Sequence, residues 1–301
     1  MSVPGHPPAG QPAAGRVVVI GNAGLDLRLT VPRLPRPGET LIGGDGARAP
    51  GGKGLNQAVV AARCGASVRF CAALGNGKSE ADALERYLAD EGITNRILPR
   101  LPHATDFSLV MVLPDGENAI VSTSACSLAL PSAHAARALR GLGAGDIVLL
   151  QGNLSLETTE YVLGVARRLG AATLFNPAPF WPGAERLAGL CSLLIANRLE
   201  AESLGSSIHE APAAIVTLGA EGCVLIRDGE QRAFPTRPVA AIDTTGCGDV
   251  FCGVMAAILA RGATLEDAIG VAQMAAGLTA TRPGAYEALP SRKELGQILG
   301  G

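Results

Sequence analysis

Apolar residues fall in short runs along this chain, with stretches of helical period between them. Arg16–Gly21 (RVVVIG) is β-branched and ends in glycine, which predicts a strand buried on both faces. Ser67–Leu74, Asp146–Leu150, Ala172–Phe175, Ser192–Ile195 and Ala214–Leu218 follow the same pattern. Helical periodicity covers Leu55–Cys64, stopped by Gly65, then Ser79–Asp90, then Leu156–Leu169, stopped by Gly170. Strands alternating with helices predict βαβ units and an α/β fold with a mostly parallel sheet. The C-terminal third reads as helices over Asp249–Arg261, Leu265–Thr281 and Ser291–Leu299.

Two segments break this rhythm. Leu27–Arg48 carries Pro32, Pro35 and Pro37 among short alternating runs. Phe107–Leu113 and Ala119–Thr123 flank Pro114–Glu117, a hairpin turn signal. Together they predict a small β-layer, from about residues 27–48 and 100–124, placed as a lid that excludes water. The first fifteen residues hold four Pro and three Gly, with neither a basic start nor an apolar core. They predict a flexible tail instead of a signal peptide, leaving residues 16–301 as one domain.

Composition narrows the function. Hydrophobic residues at 48% and charged residues at 17% suit a large buried core. A net charge of −2 without a dense basic run argues against a nucleic-acid or membrane-surface partner. Seven scattered cysteines, with no C-x-x-C pair, suggest reduced thiols and a cytoplasmic location. Four histidines, none beside a recognisable nucleophile, make a Ser-His or Cys-His hydrolase hard to build.

Four motifs carry chemistry. Asp243-Thr-Thr-Gly-Cys-Gly-Asp249 is a glycine-rich turn opening into a helix. Free N–H groups and the helix dipole there make an anion site. Asp249, in the first turn, reads as a proton acceptor or as a helix cap. Gly51-Gly52-Lys53-Gly54-Leu55-Asn56-Gln57-Ala58 offers close backbone approach and the directional donors of Lys53 and Asn56. Asn197-Arg-Leu-Glu200 follows a strand and reads either as a hydrated Mg²⁺ site or as an N-cap. Thr217-Leu-Gly219-Ala-Glu-Gly222 is a strand end running into a turn, a phosphate contact or a bare hairpin.

In order and spacing, the four motifs resemble the PfkB or ribokinase family of sugar kinases, from about Arg16 to Pro290. Pro37-Gly-Glu-Thr40 and Phe175-Asn-Pro-Ala-Pro179 are similar to its ribokinase branch. The resemblance implies a three-layer Rossmann-type body with a β-lid, transferring the ATP γ-phosphoryl group to a hydroxyl of a small sugar. It implies Asp249 as base, with Gly246, Cys247 and Gly248 N–H groups as anion hole. It puts Asp26, Gly52, Lys53, Asn56 and Asn153 against sugar, and Asn197, Thr217, Gly219, Gly222 and Gly248 against ATP. Glu200 would organise Mg²⁺ through water. Asp243, Thr245, Thr279, Arg282 and Gly284 would hold K⁺, mostly through carbonyls. A homodimer through the lid is a further expectation.

The chain departs from the ribokinase pattern at several positions. Gly24 stands where Asn is expected and Asn153 where Glu is expected, so the sugar site differs, with Asn22 available as a substitute amide. On this reading Gly24→Asn with Asn153→Glu should improve the use of ribose. Ala288 replaces Ser in the cation loop. At Cys247 the helix end favours a thiolate while Asp249 opposes one. The competing activities are a nucleoside kinase, for which Phe107 is the visible aromatic, and a sugar-phosphate kinase using Arg28, Arg33, Arg36 or Arg48. A non-catalytic sugar-binding protein is the third.

Overall fold

A computed structural model describes residues 15–114 and 118–300. The tail expected over residues 1–15 therefore lies almost wholly outside the described residues, as do Asp115, Gly116 and Glu117 of the hairpin turn.

A nine-stranded sheet forms the body. Near one end, β1 (Arg16–Ile20) pairs with β4 (Ser67–Cys71), which pairs with the edge strand β6 (Asn95–Ile97). On its other side follow β10 (Ile147–Gln151), β11 (Ala172–Asn176), β12 (Leu193–Asn197), β13 (Ala213–Thr217), β14 (Cys223–Arg227) and β15 (Glu230–Phe234). The strands from β6 through β13 are parallel, and β14 and β15 are added antiparallel.

Val17 and Val19 enter one core and Val18 and Ile20 the other, and all four are fully buried. That two-sided burial is why β1 reads as a continuous apolar run. The first core holds α1 (Lys53–Arg63), α2 (Lys78–Asp90), α7 (Cys247–Leu259) and α8 (Leu265–Ala280), with α9 (Arg292–Gly300) at its rim. The second holds α4 (Ser132–Ala138), α5 (Leu156–Arg168) and α6 (Arg198–Leu204), with α3 (Ala125–Leu128) beside them. No helix among the described residues is long and apolar enough to cross a membrane.

The second layer is a four-stranded sheet, in the order β3 (Gly46–Gly51), β2 (Gly24–Thr30), β8 (Asp106–Val112) and β9 (Asn118–Ser122). It begins at Gly24, and residues 31–45 lie between its strands without entering it. Arg100–Leu101 (β7) pairs instead with Leu74–Gly75 (β5).

Helices α1 and α7 pack closely enough that a Cβ at Gly253 would meet the Gln57 carbonyl oxygen at 2.7 Å and Val60 Cβ at 2.8 Å. That approach brings the first turn of α7 against Asn56 and Gln57. At the start of α7, Gly246 has φ 82°, a left-handed turn that glycine adopts without steric cost.

Candidate active site

The motifs of the parallel strands converge at their carboxyl ends, where an open α/β sheet leaves a crevice for ligands. A cavity of about 500 Å³ opens there between the body and the second sheet. Asp26, Asn56, Ser108, Asn153 and Asp249 are among the polar residues lining it.

Asp249 lies in this wall and is 5% exposed. Asn56 Nδ2 donates to its Oδ2 at 3.0 Å, and Gln57 Nε2 to its Oδ1 at 3.1 Å. Gln57 is in turn held by Gln151 Nε2, which donates to Gln57 Oε1 at 2.7 Å. Asn176 stands on the far side, with Oδ1 3.5 Å from Gln57 Nε2 and Nδ2 donating to the Ile195 carbonyl. A buried carboxylate is costly unless hydrogen bonded, and two neutral amides satisfy it without neutralising it. Gln57, Gln151 and Asn176 were not singled out in the sequence. Gln57 one residue after Asn56, on a helix otherwise rich in Ala and Val, is the signal that could have found the first of them.

Among the described residues that line the cavity, two buried acceptors face no donor: Asn56 Oδ1 and Asn153 Oδ1. Both residues line the cavity, so substrate hydroxyls could satisfy them.

The charges around Asp249 are arranged by distance and burial. The Asp249 carboxylate holds the Lys53 ammonium above the ordinary lysine value against the cost of burial, and Glu200 adds to the effect. Lys53 therefore answers to the base and the Asn197–Glu200 side as well as to the sugar pocket. Burial lifts Asp26 to about 6, assisted by Asp249 and Glu287 and opposed by a hydrogen bond from Ser108. Burial raises Glu200 too, against the Asn197 N–H and Lys53.

Asn197 and Glu200 form a reciprocal capping box, with Asn197 Oδ1 accepting from the Glu200 N–H and Glu200 Oε2 from the Asn197 N–H. Glu200 Oε1 takes the Asn197 side-chain amide. With both carboxylate oxygens engaged, a metal here would be met through water. Thr217 lies opposite Asn197 in the neighbouring strand. Gly219 and Gly222 make a tight turn between β13 and β14, so this motif is a hairpin.

The start of α7 has no capping side chain, and a Cβ at Gly248 would meet nothing within 4 Å. The approach to this helix end is open. The three-donor anion hole expected there needs correction, because Cys247 N–H already donates to the Thr244 carbonyl at 3.2 Å. At Cys247 the two opposing influences resolve against a thiolate. Burial, with Asp243 and Asp249 beside it, pushes the thiol up to about 11, and its Sγ lies 3.5 Å from the Ala276 carbonyl.

Asp243 takes the Thr245 N–H and hydroxyl on Oδ1 and the Gly284 N–H on Oδ2. Burial would raise it, but these bonds keep it below the usual carboxylate range. Thr279 and Arg282 do not aim their side chains into this cluster. Thr279 Oγ1 bonds the Ala275 carbonyl and Arg282 pairs with Glu294. The Thr279 carbonyl itself accepts the Arg282 N–H.

The sugar-side departures look different in three dimensions. Asn22 lines the cavity, but its Oδ1 accepts the Gly54 N–H, which leaves its amide NH₂ for a ligand. A Cβ at Gly24 would sit 2.2 Å from the Asp106 carbonyl oxygen. The expectation that Gly24→Asn improves ribose use is therefore overturned by this backbone contact. Gly24→Asn is expected to destabilise the fold by on the order of 2 kcal/mol, the usual scale of overpacking. Thermal unfolding of Asn153→Glu with and without Gly24→Asn checks this, and equal melting temperatures would contradict it.

An open helix N-terminus, a buried carboxylate and a polar cavity at the sheet's carboxyl edge suit phosphoryl transfer to a hydroxyl compound. Comparison with known proteins makes the assignment specific. Residues 14–292 match the pfkB family carbohydrate kinases, and the chain belongs to that family. It is 32% identical over 290 residues to a ribokinase of Bacillus subtilis, covering 94% of this chain and 99% of that one. The solved ribokinase of Thermotoga maritima superposes with a TM-score of 0.83 at 30% identity, covering 95% and 99% of the two chains. A ribokinase of Arabidopsis thaliana, solved with ribose and ATP, superposes at 0.78 with 26% identity, covering 96% and 99%. The chain is an ATP-dependent carbohydrate kinase.

Proposed function

We propose that this kinase phosphorylates a hydroxyl of a ribose-like sugar, with Asp249 as its base. The observation that carries the reading is the seating of Asp249: a buried carboxylate, fixed by two amides, beside an open helix N-terminus. The sugar hydroxyl gives its proton to Asp249 as its oxygen attacks the γ-phosphorus. The bond from that phosphorus to the β–γ bridging oxygen breaks, and ADP leaves. Gly246 and Gly248 N–H groups and Lys53 face the charge that moves onto the transferring group and the leaving oxygen. Asp26, Gly52, Asn56 and Asn153 hold the sugar, while Asn197, Thr217, Gly219 and Gly222 hold the nucleotide. Sugar-dependent release of ADP, across pentoses, hexoses, nucleosides and sugar phosphates, tests the reading. No release with any acceptor would reject it.

Two ions belong to the proposal. Mg²⁺ suits a site with one carboxylate plus substrate phosphates, and Glu200 would meet it through water. It would shield phosphate charge. K⁺ would be held by Asp243, which stays ionised, with Thr245 and the Thr279–Gly284 loop carbonyls around it.

Asp26 gives the reading a pH signature. With its carboxyl at about 6, it is charged above that value and neutral below. If the charged form binds sugar, kcat/KM rises with pH and levels off above 6. At pH 5 it should stand about tenfold below the plateau, as one titrating group requires. Asp26→Asn should flatten that limb. The stability effect has the opposite sense, since a raised carboxyl binds its proton more tightly folded than unfolded and costs stability as pH rises. An unchanged limb in Asp26→Asn would remove Asp26 from sugar binding.

We place the enzyme in the cytoplasm, which suits its seven unpaired thiols, and propose a homodimer through the second sheet. Asp26, Ser108 and Ser122 share the cavity side of that sheet. By strand alternation Leu27, Leu109 and Val121 share the other, with Leu29 and Met111 paired beside them. These residues belong to neither core, and Val121 is 61% exposed. A second copy would cover this apolar face. Sedimentation should show a dimer that Leu109→Asp converts to monomer, and a wild-type monomer would refute the pairing.

A further inference from the structure

A second, smaller cavity lies between the second sheet and the body. Asp26 and Arg28 of β2 line it, together with Asp243, Gly284 and Glu287 of the body. Its volume of about 20 Å³ is room for roughly one water molecule.

Strand alternation puts Arg28 on the same face of β2 as Asp26, the face turned to the body. Its register partners in the sheet are Ala47 and Val110, which offer a guanidinium no hydrogen bond from their side chains. Across the cavity stand two carboxylates. Asp243 is already engaged, with Oδ1 accepting from Thr245 and Oδ2 from the Gly284 N–H. Glu287 is the one left open to a partner. Arg28 and Glu287 approach the same point, over Gly284. A Cβ there would lie 3.0 Å from Glu287 Oε2 and 3.4 Å from Arg28 Nη1. Glycine at this position, with φ 94°, leaves nothing standing between them. Among the described residues neither Arg28 nor Glu287 forms an ion pair. Opposite charges, one on each layer, therefore face each other across a space the size of one water.

We propose that Arg28 and Glu287 are positioning residues: they close into an ion pair that draws the second sheet onto the body and sets Asp26 against the acceptor sugar. The effect on turnover rests on the kinase reading, and the ion pair itself does not. The pair also bears on the charge of Asp26. Burial does most to lift the Asp26 carboxyl to about 6, with Asp249 and Glu287 adding to it against the Ser108 hydrogen bond. Once Arg28 neutralises Glu287, that contribution weakens and the charged form of Asp26 is favoured. Sugar binding that needs charged Asp26 then favours the closed pair, and the closed pair favours sugar by the same factor.

Trp181, the chain's sole tryptophan, lines the larger cavity under the same sheet and is 40% exposed. Its Nε1 donates to the Gly152 carbonyl at 2.8 Å, which holds the ring on the body. Acrylamide quenching of its emission therefore reads how far the second sheet stands open, without turnover. Arg28→Glu, which sets like charges across the gap, should raise the quenching constant. Arg28→Glu with Glu287→Arg should return it toward wild type.

Steady-state kinetics is the second arm, with ATP and whichever pentose, hexose, nucleoside or sugar phosphate turns over fastest. Arg28→Met and Glu287→Gln should each lower kcat/KM by roughly threefold to fivefold, the scale of one solvent-accessible ion pair. Together they should cost no more than either alone, because each removes the same interaction. The charge exchange should recover most of the loss, which separates pairing from a folding defect. In about 1 M NaCl, where charges act only within ~3 Å, wild type and Arg28→Met should converge. Unchanged quenching in Arg28→Glu, or a charge exchange no better than its worse single variant, would overturn the proposal. So would a loss that KCl reverses and the exchange does not, which would give Arg28 to the cation loop. Turnover of no acceptor at all would reject the kinase reading instead, and the quenching series would still decide the ion pair.

Discussion

Asp249→Asn is expected to lower kcat by about 10²–10⁴-fold, the usual loss when a positioned base is removed. ATP and sugar should still bind, because the open start of α7 and the glycine turns around it do not depend on the carboxylate charge. The fold should survive as well. Asn56 Oδ1 has no donor in the native arrangement, so the Asn56 amide can turn over and accept from the introduced side-chain amide. Loss of one good hydrogen bond costs about 1 kcal/mol. Measured kcat, KM and thermal unfolding separate these effects. A near wild-type kcat would take the base assignment away from Asp249, whereas a collapsed melting temperature would show that the amides cannot rearrange.

Gln57→Glu should produce the second large effect, without touching substrate. The new carboxylate would stand where Gln57 Nε2 now lies 3.1 Å from Asp249 Oδ1, while Gln151 still donates to the other oxygen. Two buried carboxylates at that distance cannot both be charged, so the pair keeps a shared proton and its second ionisation moves sharply upward. The base is then blocked until higher pH. The acidic limb of kcat should shift upward by on the order of 2 pH units, with activity returning at alkaline pH. Gln57→Met, uncharged and of similar length, should not shift it. A pH profile identical to wild type would mean that Gln57 does not hold the base.

The body strands were legible because burial on both faces writes β1, β10 and β13 as plain apolar runs, and their glycine stops mark the turns into helices. Strands β14 and β15 were not recognised. Their signal was present, since Asp228 and Gly229 both have positive φ and the Asp-Gly pair is a hairpin signature. The apolar run of β14 is short, Cys223–Ile226, and β15 (EQRAF) is mostly polar and exposed, with no buried face to write an apolar pattern. At the site, Asp249 and Asn56 were visible as motif members. Their orientation was not, because the Gln151–Gln57–Asp249 chain joins three elements that lie far apart in sequence. Trp181 escaped for the same reason: in the sequence it is a loop residue, and only folding sets it beside Asn153 and opposite the second sheet. Asn197 and Glu200 carried two readings in sequence, and the cap is realised in the fold with both carboxylate oxygens.

Phosphorus NMR of the reaction mixture tests the central claim most directly. Purified wild-type protein, ATP, Mg²⁺ and K⁺ would be followed with ribose and with a nucleoside as acceptor. The account predicts one new phosphomonoester resonance for every ADP formed, dependent on the acceptor, and its loss in Asp249→Asn. Phosphate released to water without a phosphomonoester, or equal phosphomonoester formation by Asp249→Asn, would contradict it.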